Sequence, residues 1–150
     1  MKIYLSGPIF LDDKEATEGW RNRVTSYFTR PRMDAGMQDC PPRFSGFTTL
    51  DPCRKKATYR NGFHTPNEIL FRDLKDVDES DIILVNFNLK PDKISIGTIC
   101  EIQHAWEQKK PVVIVSDDQR ILEHPWILAL TVKQFPSLEQ AVEYIENFWG

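Results

Sequence analysis

The stretch DIILVNF at Asp81–Phe87 decides the fold class of this chain. Four consecutive aliphatic residues mark a β-strand buried on both faces, and such strands occur in parallel sheets that helices cover. The stretch PVVIVS at Pro111–Ser116 repeats the pattern. Shorter β-branched runs at Lys2–Ser6, Phe47–Leu50 and Thr131–Phe135 predict three further strands, which makes a sheet of five.

Helical patterns alternate with these strands. Apolar stripes run along Asp12–Arg30 and Gly97–Lys109. The capping-box sequences TPNE at 65–68 and SLEQ at 137–140 predict the start of a helix that runs to about Asp78 and of a C-terminal helix. Strands that alternate with helices form βαβ units, so the chain is predicted to be an α/β protein with a mainly parallel sheet.

The length of 150 residues suits a single domain with one long irregular insertion. Pro31–His64 is too long and too weakly periodic for an ordinary connection. Two interpretations stay open for it: a lid or wall of a substrate pocket, or a surface excursion with its own packing. The segment carries the basic residues Arg54, Lys55, Lys56 and Arg60, and the residues that would select the base are Phe44, Phe47, Tyr59, Phe63 and Arg54.

Composition excludes several classes of partner. The net charge of −3 leaves no basic excess for duplex nucleic acid, and the apolar runs are too short for a membrane span. Cys40, Cys53 and Cys100 have irregular spacing, so we expect free thiols rather than disulfides or a zinc site. With no signal-peptide pattern near Met1, a cytoplasmic location is expected.

Ligands of parallel α/β sheets bind beyond the carboxyl ends of the strands. That rule selects Ser6–Ile9, Asn86–Gly97 and Ser116–His124. In the second segment, the sequence SIGT at 95–98 combines hydroxyls with a helix N-terminus, which suits an anion such as phosphate. The chain lacks Walker A, G-x-G-x-x-G and G-x-S-x-G motifs. The candidate binding residues here are Ser6, Gly7, Pro8, Ile9, Ser95, Gly97 and Thr98.

Glu101 is the first candidate for chemistry. It is expected in the first turn of the helix that begins near Gly97, at the border of the apolar face. There it either points a carboxylate into the ligand crevice or only complements the helix dipole. His104 completes an E-x-x-H pair, but a metal site of that type needs further carboxylates, so we expect no metal and no cofactor.

Several aspartates follow in the helix that opens at 65–68. Asp73 is placed to reach the carboxyl end of the sheet. Asp76 and Asp78 are interpreted as part of a solvated acidic face.

Four segments of the chain form a recognisable set. They are KIYLSGPI at 2–9, RD at 72–73 followed by SDIIL at 80–84, SIGTICEI at 95–102 with Ala105, and KPVV at 110–113. In this order and spacing they resemble the nucleoside 2-deoxyribosyltransferase family, including its branch of 2'-deoxynucleoside 5'-monophosphate N-hydrolases. The resemblance covers the chain outside Pro31–His64.

The resemblance implies a flavodoxin-like or Rossmann-like three-layer sandwich and a role in nucleotide salvage. It implies cleavage of the N-glycosidic bond of 2'-deoxynucleosides, with transfer of the 2-deoxyribosyl group to an acceptor base. Glu101 matches the nucleophile, which traps the anomeric carbon as a glycosyl-enzyme. Tyr4 would orient Glu101. Asp73 would protonate the leaving base, which requires a raised pKa.

The family also implies a homodimer or larger homo-oligomer whose sites the neighbouring subunit completes. His124 and Trp126 match residues that family members send into that neighbouring site. Phosphate binding and helix capping both stay open for His124. Trp126 is expected to pack the subunit interface.

Ser95 departs from the transferase pattern. Six residues before the nucleophile, the transferases usually carry an aspartate that accepts the sugar 5'-hydroxyl, whereas the hydrolase branch has serine. A hydroxyl beside a helix N-terminus donates to a phosphate that an aspartate would repel. Asp92 could still take the place of that aspartate. The donor, a nucleoside or its 5'-monophosphate, and the acceptor, a base or water, therefore stay open.

Two other functions compete with this interpretation. A non-catalytic nucleotide-binding module is disfavoured because Tyr4, Asp73 and Glu101 occur together. A flavodoxin-type redox module is disfavoured because no phosphate loop rich in serine and threonine follows the first strand.

Overall fold

A computed structural model describes residues 1–10, 12–31, 45–54, 64–88 and 94–150. Several residues to which the sequence assigned a role lie outside these ranges. They are Cys40, Phe44, Lys55, Lys56, Tyr59, Arg60, Phe63 and Asp92.

The described residues contain a five-stranded sheet in which all neighbouring strands are parallel. The order β2-β1-β3-β4-β5 is that of flavodoxin-like folds, as predicted. The strands are β1 (Lys2–Ser6), β2 (Thr48–Leu50), β3 (Ile82–Asn86), β4 (Val112–Val115) and β5 (Lys133–Phe135). All five predicted strands are thus confirmed.

The helices fill both faces of this sheet. They are α1 (Trp20–Thr29), α2 (Pro66–Glu79), α3 (Ile96–Glu107), α4 (Gln119–Leu122), α5 (Pro125–Leu130) and α6 (Leu138–Trp149). The capping box at Thr65 starts α2, and the Ser137 hydroxyl accepts from the Gln140 amide at the start of α6. None of the helices in the described ranges is long and apolar enough to cross a bilayer.

The helix predicted over Asp12–Arg30 is only partly α-helical. A π-helical turn at Glu15–Gly19 precedes α1. Within that turn, the Thr17 hydroxyl bonds both the amide and the carbonyl of Phe10, which ties the turn to the loop after β1. A side chain held by a distant backbone cannot be recognised from helical periodicity.

Alternation along the strands divides the apolar residues into two cores. Ile82 and Leu84 of β3 face α1 and α6, whereas Ile83 and Val85 face α2, α3 and α5. Because both faces are covered, β3 has no polar side, which explains its unbroken apolar sequence. Phe47 belongs to the first core and packs on Phe28 with ring centres 5.0 Å apart, so it is not a substrate-selecting residue of the insertion.

Close packing at the end of β1 requires glycine at position 7. A Cβ built on Gly7 would lie 3.0 Å from the Asn86 carbonyl oxygen and 3.0 Å from Cζ2 of Trp20. A backbone carbonyl in a neighbouring strand cannot move away cheaply. The loop after β1 therefore approaches β3 and α1 closely because it carries no side chain there.

We expect Gly7→Ala to lower the free energy of unfolding by about 1–3 kcal/mol, because it overpacks this contact. The matched control is Gly97→Ala in α3, where the only near contact in the described ranges is the Ser95 hydroxyl oxygen at 3.8 Å from the new Cβ. The control should be neutral or stabilising by up to about 1 kcal/mol. Urea denaturation measures both; equal stabilities of the two variants would contradict the packing argument.

Candidate active site

A cavity of about 520 Å³ lies beyond the carboxyl end of β1, between α2 and the start of α3. Its position is the one that the crevice rule for parallel sheets predicts. Residues with apolar side chains form much of its wall: Pro66, Ile69, Leu70, Leu74 and Ile96. The predicted site residues that line it are Gly7, Ile9, Asp73, Ser95, Gly97, Thr98 and Glu101.

Two hydroxyl groups of β1 hold the carboxylate of Glu101. The Tyr4 phenol donates to Oε1 at 2.8 Å, and the Ser6 hydroxyl donates to Oε2. Tyr4 and Ser6 are two residues apart on one strand, so they share the face that α3 covers. Glu101 therefore does more than complement the helix dipole, and it lies in the second turn of α3 rather than the first.

Burial is the main influence on Glu101 and raises its pKa to about 7. The hydrogen bonds from Ser6 and Tyr4 act in the opposite direction, and the nearby Asp73 carboxylate adds to the rise in the pKa of Glu101. Burial also raises the pKa of the Tyr4 phenol well above its usual value, so this group remains a proton donor. The site thus holds a carboxylate that is poised between its two protonation states near neutral pH.

Ser6 plays a different part from the one that its position in the loop suggested. Its side chain is fully buried, and its hydroxyl meets Glu101 instead of the open cavity. Pro8 does not line the described cavity. Of the four residues at 6–9, Gly7 and Ile9 reach the space that a ligand would fill.

Asp73 lies on the cavity wall with only 8% of its surface exposed. Nε and Nη2 of Arg72 donate to its Oδ1 at 3.0 and 2.8 Å. The same Nη2 donates to the Pro52 carbonyl at 3.0 Å, which links the loop after β2 to α2. Asp73 is therefore held in place beside Glu101 by a guanidinium that is anchored to a second element.

Asp76 is not part of a solvated face. It is 6% exposed, and both its oxygens accept from the guanidinium of Arg54. The segment after β2 brings Arg54 onto α2, which helical periodicity alone cannot reveal. Asp78, by contrast, is exposed and bonds Nε2 of His104 at 2.7 Å.

The start of α3 presents polar groups without a carboxylate. Ser95 is the N-cap residue, and its hydroxyl accepts from the Thr98 amide at 3.3 Å. The Thr98 hydroxyl is buried and has no hydrogen-bond partner among the described residues. A helix N-terminus with an unsatisfied hydroxyl can bind an anion, because its free amides and the helix dipole both favour negative charge.

Within one chain, His124 and Trp126 do not reach Glu101. They line an adjoining, apolar cavity of about 780 Å³ between α3 and α5, which shares Leu70, Leu74 and Cys100 with the first. Nδ1 of His124 accepts from the Trp126 amide at 3.3 Å, so His124 caps α5, which is one of its two expected roles. Trp126 is 67% exposed.

The E-x-x-H pair does not act as a unit. Glu101 is bonded to β1, whereas His104 is bonded to Asp78 at the end of α2. In the part of the chain that the structure describes, no group of three or more His, Cys, Asp or Glu side chains could hold a metal ion. Cys53 and Cys100 are both free thiols.

Sequence reasoning missed one residue at this edge of the sheet. Arg21 of α1 is fully buried, and its guanidinium bonds the carbonyls of Leu5, Gly7 and Thr17. The available signal was an arginine directly beside the apolar stripe that starts at Trp20. Buried arginine is rare and requires partners that hydropathy does not show.

A model of the nucleoside 2-deoxyribosyltransferase family matches residues 3–142. A comparison with curated protein sequences found no significant match. Among solved structures, the chain resembles a 2-deoxyribosyltransferase from Leishmania mexicana, with 19% identity over 98% of this chain and 97% of that one and a TM-score of 0.68. A 2-deoxyribosyltransferase from Bacillus psychrosaccharolyticus shares 19% identity over 99% and 92% of the two chains, with a TM-score of 0.65. The CMP N-glycosidase BcmB of Clostridium botulinum shares 12% identity over 99% and 100%, with a TM-score of 0.55.

We expect Glu101→Gln to stabilise the fold mainly at alkaline pH. In the folded protein Glu101 keeps its proton up to a pH of about 7, whereas a solvated glutamate loses it near 4.5. The folded state therefore binds more protons between these values, and wild-type stability falls as the pH rises through them. The difference in free energy of unfolding, Glu101→Gln minus wild type, should therefore be larger at about pH 8 than at about pH 5, by about 1–3 kcal/mol.

Urea denaturation at the two pH values measures this difference. Glu107→Gln is the matched control, because Glu107 lies on the exposed side of the same helix. An equal effect of Glu101→Gln at both pH values would show that burial does not raise the pKa of Glu101.

Proposed function

The chain belongs to the nucleoside 2-deoxyribosyltransferase family, whose members act on N-glycosidic bonds, and we propose that it cleaves this bond through a covalent glycosyl-enzyme at Glu101. The proposed donor is a 2'-deoxynucleoside or its 5'-monophosphate, and the proposed acceptor is a second base. The observation that carries the proposal is the Glu101 carboxylate, which two hydroxyls of β1 hold at the wall of the cavity.

In the first step, an oxygen of Glu101 bonds to the anomeric carbon while the bond from that carbon to the base nitrogen breaks. The bonding pair leaves with the base, which takes up a proton. The developing oxocarbenium charge favours a negative oxygen that is already in place. Tyr4 and Ser6 hold Glu101 through both its oxygens, which limits its rotation before it attacks.

Asp73 is the proposed proton donor to the leaving base, and as a carboxylate bonded to Arg72 it first takes up that proton from solvent. It lines the same cavity as Glu101, and Arg72 fixes its orientation. In the second step, a nitrogen of the acceptor base attacks the anomeric carbon from the vacated face and the Glu101 carboxylate leaves. Two displacements at one carbon restore the original configuration.

The apolar wall of the cavity favours a base over water as the acceptor. Ile69, Leu70, Leu74 and Ile96 present hydrocarbon surface to the ligand space. Such a surface suits the flat face of a nucleobase and gives water few hydrogen-bond partners, which protects the glycosyl-enzyme from hydrolysis.

A second candidate is hydrolysis of a 5'-monophosphate, with water as the acceptor. It is favoured by the N-terminus of α3, where Ser95 replaces a carboxylate and the Thr98 hydroxyl lacks a partner in the described ranges. The structural relative described as a CMP N-glycosidase acts on a nucleotide with this fold. A purely nucleotide-binding module is the third candidate; it does not account for a partly buried glutamate whose two oxygens both accept hydrogen bonds from β1.

We also propose a homo-oligomer in which His124 and Trp126 complete the site of a neighbouring subunit. Large apolar side chains are exposed around the second cavity, among them Leu70, Ile94 and Trp126. Exposed apolar patches of this kind mark interaction surfaces.

Glu101→Ala should reduce base release by on the order of 10⁴-fold or more, because the variant has no nucleophile. The assay follows the common 2'-deoxynucleosides and their 5'-monophosphates by chromatography, each with and without a second free base. Glu143→Ala on the exposed side of α6 is the control and should keep wild-type rates. Wild-type turnover by Glu101→Ala would refute the nucleophile assignment.

The same panel separates the candidates. A new nucleoside or nucleotide that forms only when the second base is added identifies a transferase. Free base and deoxyribose 5-phosphate without any acceptor identify a monophosphate hydrolase. Nucleotide-induced stabilisation without base release identifies a binding module.

Ser95→Asp should lower kcat/KM for monophosphates relative to nucleosides by roughly 10- to 100-fold, because a carboxylate repels the phosphate dianion. Aspartate is also a good N-cap residue, so the start of α3 is preserved. Ser95→Ala is the companion variant, which removes the hydroxyl without adding charge. An unchanged preference in Ser95→Asp would remove this residue from the phosphate site.

A further inference from the structure

Arg21 is a buried cation at the carboxyl edge of the sheet. Its side chain has no solvent exposure, and its guanidinium lies 4.5 Å from the centre of the Trp20 ring. It extends from α1 to the end of β1, on the opposite side of the strand from α3. Removing a guanidinium from water is costly, so its partners there must compensate.

Those partners are the carbonyl groups on either side of Ser6. Nε donates to the Leu5 oxygen at 3.3 Å, and Nη2 donates to the Gly7 oxygen at 2.8 Å. A third bond, from Nη1 to the Thr17 oxygen, fastens the guanidinium to the π-helical turn. The planar guanidinium, whose N–H groups form a fork of donors, therefore holds the backbone on both sides of Ser6, the residue whose hydroxyl bonds Glu101.

The guanidinium is only partly neutralised. The nearest carboxylate in the described ranges is Asp51 after β2, with its Oδ1 3.6 Å from Nε. That group is itself affected, since burial raises the pKa of Asp51. The remaining field acts on Glu101 and lowers its pKa, against the effect of burial.

We propose that Arg21 is a positioning residue for the reaction: its fork holds Ser6 against Glu101, and its charge favours the carboxylate form that attacks the sugar. This inference rests on the proposed role of Glu101 as nucleophile. Tyr4 and Ser6 of β1 bond Glu101, and two charged groups act on it electrostatically: Asp73 of α2 and, from the other side of β1, Arg21 of α1.

The charge is tested with Arg21→Gln, which keeps hydrogen-bond donors but removes the positive charge. Loss of a nearby cation raises the pKa of a carboxyl group, so the pKa of Glu101 should rise. Carbon NMR of protein with labelled glutamate carboxyls measures it directly, and Glu101→Gln assigns the resonance. In activity, the acid limb of the pH profile for base release should move to higher pH by the same amount. An unchanged pKa in folded Arg21→Gln would overturn the role of the charge.

The fork is tested with Arg21→Lys, which keeps the charge but cannot bond both carbonyls. The pKa of Glu101 should stay near the wild-type value, while kcat falls by roughly 10-fold as Ser6 loses its position. KM should change less. Wild-type kcat in Arg21→Lys would overturn the positioning role, and this variant decides the case if Arg21→Gln does not fold.

Arg23→Gln is the matched control, because Arg23 lies on the same helix with 64% of its side chain exposed. It should alter neither the pKa of Glu101 nor kcat. A wild-type enzyme that releases no base would contradict the proposed function instead, while the NMR titration would still decide the effect of the Arg21 charge on Glu101.

Discussion

The site depends on the cost of burying one carboxylate. Glu101 lies at the junction of α3 and β1, where burial raises its pKa to about 7. Two hydroxyls, from Tyr4 and Ser6, offset part of that cost by donating one hydrogen bond to each oxygen. A carboxylate that is desolvated and oriented in advance needs little reorganisation to bond to a cationic sugar carbon. The packing of α3 against β1 maintains this arrangement of Glu101, Tyr4 and Ser6.

Because side chains alternate along a strand, the hydroxyls of Tyr4 and Ser6 both lie on the face of β1 that α3 covers. Residues 4 and 6 of β1 face α3, whereas Ile3 and Leu5 pack against α1 and the core on the other side. From that side, Gly7 permits close approach and Arg21 bonds the carbonyls next to Ser6. The two faces of a single strand thus contribute differently, since one anchors the backbone and the other presents hydroxyl groups.

Three pairs of opposite charges join the elements behind the cavity. Arg72 holds Asp73, Arg54 holds Asp76, and Arg21 lies near Asp51. These pairs connect the loop after β2 to α1 and α2.

The sequence by itself determined the five strands and the α/β class, because apolar periodicity and capping residues act over a few neighbouring positions. Of the three segments that it selected for a ligand, Ser6–Ile9 and Asn86–Gly97 contribute to the cavity wall, whereas Ser116–His124 does not. The sequence also identified Glu101, Tyr4 and Asp73, through motifs whose order resembles a family. The tertiary structure alone decided which side chains meet. Tyr4 and Glu101 are 97 residues apart in the chain, and no local pattern shows that Ser6 bonds Glu101, that Arg54 buries Asp76 or that Arg21 lies beneath the loop after β1. Such contacts arise only when the sheet brings distant segments together, since side-chain hydrogen bonds are short and directional while hydrophobic periodicity specifies only which face is buried.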